Sequence, residues 1–134
     1  MINDIVNAIM DEMKSLDGFE QTDFYEGHLE SPEDLTDFII VPPAILLEAP
    51  QGAMTSNILD NSFEQDLRIF VITSKMKGIG TNSMYERLDC LREHFHDKMI
   101  VIGEATLYVY VTTWNRLGVF PGFCVYEFNL KVKV

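Results

Sequence analysis

The chain's apolar positions change period several times, and each change marks an element. Ile2, Ile5, Val6, Ile9, Met10, Met13 and Leu16 fall on one helical stripe, with Asp4, Asp11, Glu12 and Lys14 elsewhere on the wheel. This spacing predicts an amphipathic helix from about residue 2 to 16. Asn3 and Asp4 favour its start, and Asp17-Gly18 stops it, because glycine accepts the left-handed backbone of a helix end. Phe19 to Tyr25 reads as a short edge strand. Ser31-Pro32-Glu33-Asp34 announces a second helix, with Leu35, Phe38 and Ile39 inward, which Pro42-Pro43 ends.

Ala44 to Ala49 is a short apolar run and reads as a buried strand. Residues 50–64 are polar and Gly-containing, and read as a loop or hairpin tip. Leu67 to Thr73 is apolar on both faces after Arg68, the pattern of a central strand. Met84, Leu88, Leu91 and Phe95 predict a third helix over about 82–96, and Met99 to Ile102 a brief strand. Leu107, Val109 and Val111 alternate with Tyr108, Tyr110 and Thr112 in a further strand. In the last strand, Tyr126, Phe128, Leu130, Val132 and Val134 alternate with Glu127, Asn129, Lys131 and Lys133. Period two with a polar outer face implies an antiparallel or edge strand with one wet side. Leu117-Gly118 and Pro121-Gly122 supply turn chemistry between these two strands.

The expected fold is therefore α+β: a single mixed, largely antiparallel β-sheet with two or three α-helices packed on it, one of them a crossover. A chain of 134 residues suits one domain, 1–134, since two would each have a marginal core. Hydrophobic residues at 47% exclude disorder by composition.

Charge changes the picture most. The formal net charge is −11, and the sequence pI near 4.5 argues against nucleic-acid binding through bulk charge. Residues 1–66 hold fifteen acids and one base (Lys14), a net of −14, whereas residues 67–134 hold nine bases and six acids, a net of +3. The acidic half fits either solvated surface or a specific electrostatic role. Two cysteines, Cys90 and Cys124, are too few for a disulfide framework. Without a signal-peptide pattern or an apolar run of about 20 residues, the expectation is a soluble, intracellular, thiol-reduced protein away from membranes.

Chemistry-bearing patterns are sparse. Gly78-Ile79-Gly80-Thr81-Asn82-Ser83 precedes a helix, where a glycine-rich turn can hold a phosphate, and Glu104 stands where a ribose-binding acid would. The third glycine is Ser83, however, and Lys75-Met76-Lys77 separates strand from turn. A plain strand-to-helix loop capped by Thr81 or Asn82 fits better. Cys90 and His94 share a helix face, with His96 and Asp97 following and His28 distant. Zinc needs three or four converging ligands, and no second pair stands at metal-like spacing. There is no nucleophile elbow, and neither Cys124 nor Cys90 has a reactive-thiol motif. No enzyme, cofactor or metal is expected. Tyr25, Trp114, Phe120 and Phe123 adjoin turns and fit either an interface anchor or the cover of a small core.

The order of elements resembles the small tail-terminator, or tail-completion, proteins of long-tailed phages, especially a minor tail protein family of Mu-like prophages. The resembling pieces are the amphipathic helix Ile2–Leu16 with its acidic sequel and the Pro43-Ala44-Ile45-Leu46-Leu47 start of an apolar strand. The long strand Ser62 to Lys75, the helix Met84-Tyr85-Glu86-Arg87-Leu88-Asp89-Cys90-Leu91-Arg92 and the closing strand Val125 to Val134 complete the match. The resemblance implies a structural homo-oligomer, a hexameric ring that caps the tail tube, ends tail growth and presents the head-joining surface. Implied partners are the tail tube protein, a head-completion protein, and DNA that passes through the ring without specific binding. The implied location is the host cytoplasm during assembly and then the virion tail. Acids within 20–37 or 57–66 would then line the hole, with Asp60, Glu64 and Asp66 as lumen or interface candidates. Two alternatives are an acidic DNA mimic occupying a DNA-binding partner and a small enzyme using the Gly78–Ser83 turn.

Overall fold

The computed structural model describes residues 2–25, 40–48, 51–57, 60–74, 80–120 and 123–134, with the side chains of 51–57, 60–63, 80–83 and 118–120 left aside. Helix α1 spans Ile2–Lys14, strand β1 Gln21–Tyr25, β2 Ala44–Glu48, β3 Gln51–Asn57 and β4 Asp60–Ser74. Helix α2 spans Gly80–Phe95, followed by β5 Lys98–Ile102, β6 Ala105–Phe120 and β7 Phe123–Lys133. The strands form one sheet in the order β1-β2-β4-β7-β6-β5, with β3 paired to β4 off that path. Among the described residues only β1 and β2 run parallel, and every other pairing is antiparallel. The fold is α+β, with one mixed, largely antiparallel sheet and two described helices packed on it. The expected helix that opens at Ser31 falls almost wholly outside the described residues.

Both helices cover one face. Ile5, Ile9, Met10 and Met13 of α1 and Met84, Leu88, Leu91 and Phe95 of α2 bury their stripes against Leu67, Ile69, Val71, Leu107, Val109, Phe128, Leu130 and Val132. Burial of such side chains stabilises by roughly 1.5–3 kcal/mol each. The opposite face carries a second cluster, Tyr25, Ala44, Leu46, Phe70, Ile72 and Val125, with Tyr25 edge-on to Phe70. Strand β4 contributes alternate residues to both clusters, which is why its sequence is apolar on both faces. After α1, Gly18 adopts φ +93°, the left-handed conformation expected of the stop signal. The Pro42-Pro43 bond before β2 is cis.

Two expectations are corrected. Residues 51–57 and 60–64 are not a loop but the two arms of a β-hairpin, in register from Gln51↔Asp66 to Asn57↔Asp60. Polar side chains hid these strands, since backbone pairing needs no apolar period. Leu117-Gly118 is not a turn: β6 runs through it, absorbing Leu117 in a register shift between Arg116 and Gly118. Strand β7 is antiparallel, the first of the two readings its period allowed, and lies centrally between β4 and β6. Its polar face tolerates that position because Glu127 and Lys131 meet opposite charges on β4.

Strand β6 carries a second register shift, between Val111 and Thr113. Leu107, Val109 and Val111 face the helices, and simple alternation would send Trp114 to the other side. The extra residue Thr112 reverses the parity, so Trp114 pairs with Phe128 on the helix-bearing face. Thr112 anchors the bulge by donating its hydroxyl to the Asn129 carbonyl at 3.2 Å.

Candidate functional site

The acidic candidates lie together on β4 but are not equivalent. Asp60 opens β4 opposite Asn57, at the end of the hairpin. Glu64 lies 3.2 Å from Lys133 Nζ and 3.8 Å from Lys131 Nζ, so its charge is locally compensated. Asp66 reaches Lys131 at only 3.9 Å, and its side chain is 71% exposed. The register Glu64↔Lys133 and Asp66↔Lys131 makes these meetings inevitable once β4 and β7 pair.

Further along the same face, Arg68 bridges two carboxylates. Its Nε donates to Glu48 Oε2 at 2.6 Å, and its Nη1 to Glu127 Oε2 at 3.1 Å. The guanidinium also lies 4.9 Å from the Phe70 ring centroid, and Asn115 donates to the other Glu127 oxygen at 3.0 Å. Glu48 is 5% exposed, so it is a buried carboxylate held by a cation.

The nucleotide idea finds a different setting. Glu104 sits with Gly103 in the two-residue turn of the β5–β6 hairpin, where Gly103 has φ +58°. That is a hairpin-turn position, not the end of a parallel strand. Gly78 and Ile79 lie outside the described residues, and Gly80 begins α2.

The histidines are used internally. His94 Nε2 lies 2.7 Å from Glu12 Oε2, and Lys98 Nζ reaches the same oxygen at 3.2 Å, which ties α1, α2 and β5 together. Burial raises the Glu12 pKa, but hydrogen bonds from His94 and Lys98 outweigh it and leave the carboxyl below its ordinary value. His96 accepts from the Val111 amide at 3.2 Å. Cys90 is exposed and Cys124 half-buried. Among the described residues no group of three or more His, Cys, Asp and Glu converges as a metal site. His28 lies outside them. Nor, among them, is any helix long and apolar enough to cross a membrane.

The aromatics divide. Tyr25 is core and Phe123 packs against the second cluster, while the Phe120 side chain lies outside the described residues. Trp114 remains 50% exposed and stacks on buried Phe128, with centroids 6.4 Å apart. There α2 stands off the sheet and leaves a groove of about 230 Å³, lined by Tyr85, Leu88, Asp89, Arg92, Trp114 and Phe128. The four helical residues recur at the spacing of a single helix face. Tyr85 meets Tyr126 edge-on at 6.5 Å. Burial, followed by the hydrogen bond with Tyr85, pushes the Tyr126 hydroxyl pKa up.

The two ends of the strand order complete the surface, with β3 a further strand paired on one side, to β4. Among the described residues β1 and β5 each have a partner on one side only. Phe24 is exposed on β1, and Met99 and Val101 on β5 are 62% and 68% exposed. The chain matches no known protein-family model and no curated protein.

Proposed function

We propose that this chain is a structural subunit of the tail-terminator type, adding copies edge to edge into a closed ring that caps a tail tube and offers the head-joining surface. The observation that supports it is that, among the described residues, β1 and β5 stand at opposite ends of one sheet with a partner on one side only. Native sheets blunt free edges with charge or cover them. Here β5 instead presents Met99 and Val101, while β1 presents Phe24 beside Asp23. Joining one edge to a different edge of the next copy is a heterologous contact, which closes into a ring when the rotation per step closes. The charge halves favour this pairing, since β1 comes from the −14 half and β5 from the +3 half. Six copies, the tube and head partners, and the phage setting follow from the resemblance.

In such a ring Asp66 is the best lumen acid, Asp60 accompanies it, and Glu64 contributes least because Lys131 and Lys133 already face it. An acidic wall makes no phosphate-neutralising contacts, so DNA slides past it. The DNA-mimic alternative has less support, because Glu12, Glu48, Glu64 and Glu127 are engaged by bases of their own chain.

The test is native mass with negative-stain imaging, on the natural chain and on Val101→Lys. The natural chain is expected to form six-membered rings, and V101K to remain monomeric with an unchanged melting temperature. A natural chain that stays monomeric at its highest soluble concentration, and is not recruited to tail tubes, overturns the proposal.

A further inference from the structure

We infer that the groove between α2 and strands β6 and β7 is a docking site for an acidic peptide segment of a partner protein, anchored by one bulky apolar side chain. The inference does not depend on ring formation.

Size comes first. A groove of about 230 Å³ is smaller than the roughly 300–1,000 Å³ of sites that enclose drug-sized ligands. It exceeds the ~150 Å³ that accommodates benzene, so one aromatic or branched side chain fits with little room to spare. Its surfaces suit such an anchor. Phe128 is the floor, Leu88 and Tyr85 form one wall, and the half-exposed Trp114 forms the other. An exposed tryptophan beside an apolar depression is the arrangement of an interface anchor point.

Charge selects the flanks of the ligand. The chain has four arginines, and two are engaged: Arg68 by Glu48 and Glu127, and Arg87 by the Gly18 carbonyl at 2.9 Å and the Phe19 ring. Of the other two, one lines this groove and one lies two residues beyond its tryptophan wall. Arg92 lines it, and Arg116 follows Trp114 on the same face, paired in register with Tyr126. Both are exposed, and among the described residues neither has a carboxylate partner. In a chain of net charge −11, two uncommitted guanidinium groups beside one apolar slot are complementary to carboxylates on either side of an apolar residue. Asp89 is the opposing charge on the lining, one turn before Arg92. It is placed to accept from a backbone amide of the bound segment.

The bulge explains why the site exists. Were Thr112 paired in the ladder instead of standing outside it, Trp114 would lie on the other face and the groove would lose its wall. A bulge that re-aims a large side chain into partial exposure is a costly arrangement for packing alone.

Trp114 is the chain's one tryptophan, so its emission reports on the groove without a label. The probes are three blocked pentapeptides: Asp-Glu-Phe-Glu-Asp, its basic counterpart Lys-Lys-Phe-Lys-Lys, and the anchorless Asp-Glu-Gly-Glu-Asp. The acidic phenylalanine peptide is expected to change Trp114 emission saturably, and the other two to bind at least about tenfold more weakly. Arg92→Glu and Arg116→Glu are each expected to weaken binding about tenfold, the scale of one charge-assisted hydrogen bond. Both sites are exposed, so the thermal melts are expected to stay unchanged. No saturable change at millimolar acidic peptide overturns the inference. So does equal or tighter binding of the basic peptide, or unaltered affinity in both arginine variants.

Discussion

Arg68 holds two carboxylates on the face away from the helices, and its removal gives a defined loss. In Arg68→Met the aliphatic stem over Phe70 is largely kept, and the cation is lost. Glu127 is less affected, because its side chain is 16% exposed and Asn115 still donates to it. Glu48 is affected most. Its side chain is 7% exposed, and its contacts from Arg68 Nε and Nη2 both disappear. A buried charge stripped of its partner costs about 3–5 kcal/mol. Residual exposure and the half-open position of Arg68, at 31%, place this case near 3 kcal/mol, at the bottom of that range. That is a large part of the ~5–15 kcal/mol available to a domain, and at this chain length corresponds to a drop of roughly 10 °C in Tm. Urea denaturation measures it as a lower midpoint with unchanged slope. The double variant Arg68→Met, Glu48→Met removes the stranded charge, and should recover to within about 1 kcal/mol of the natural chain. A single variant that loses under about 1 kcal/mol, or a double variant no better than the single, refutes the claim that Glu48 depends on Arg68.

Two further outcomes follow from the packing on the helix side. Glu12 has a depressed pKa in the folded chain, so its ion pairs contribute stability above pH 4.5 that is lost as pH falls through the folded value. Glu12→Gln should therefore flatten the decline in stability below pH 4.5, measured by urea midpoints across acid pH; an unchanged acid slope would count against the cluster. Gly18→Ala places a Cβ at φ +93° with its nearest side-chain atom, Arg87 Nη2, a relaxed 4.0 Å away. The loss is then backbone strain alone, about 1–2 kcal/mol by calorimetry, and Gly18→Asn should lose less.

Elements with a strong apolar period were legible in the sequence. The stripe from Ile5 to Met13 and the two-sided run from Leu67 to Thr73 located α1 and the central part of β4, because burial writes itself into those positions. A hairpin was one of two readings of residues 50–64, but its paired arms were not legible, since their polar residues carry no period and are ordered by backbone pairing. The meeting of Glu64 with Lys131 and Lys133 was equally hidden. These residues are over sixty positions apart, and only the strand register brings them together. Asp60, Glu64 and Asp66 were chosen on charge alone, and charge does not show which acids a distant strand neutralises. Trp114 was singled out as an aromatic near a turn, but its face was not readable, because one unpaired residue reverses the alternation.

That reversal divides β6 into two lengths with opposite addressing. Upstream of Thr112, odd-numbered residues face the helices; from Trp114 to Arg116, even-numbered ones do. The faces of Trp114 and Arg116 therefore rest on Thr112 standing outside the pairing. A chain lacking Thr112 would alternate regularly and keep Val111, Trp114 and Arg116 on the helix side, so the groove's wall survives loss of that residue. Pairing Thr112 with Asn129 in place of Thr113 would instead slip the strand by one residue and turn Trp114 and Arg116 away together. The groove is thus a surface held in place by register at a single residue, while the β5–β6 hairpin upstream keeps its own geometry.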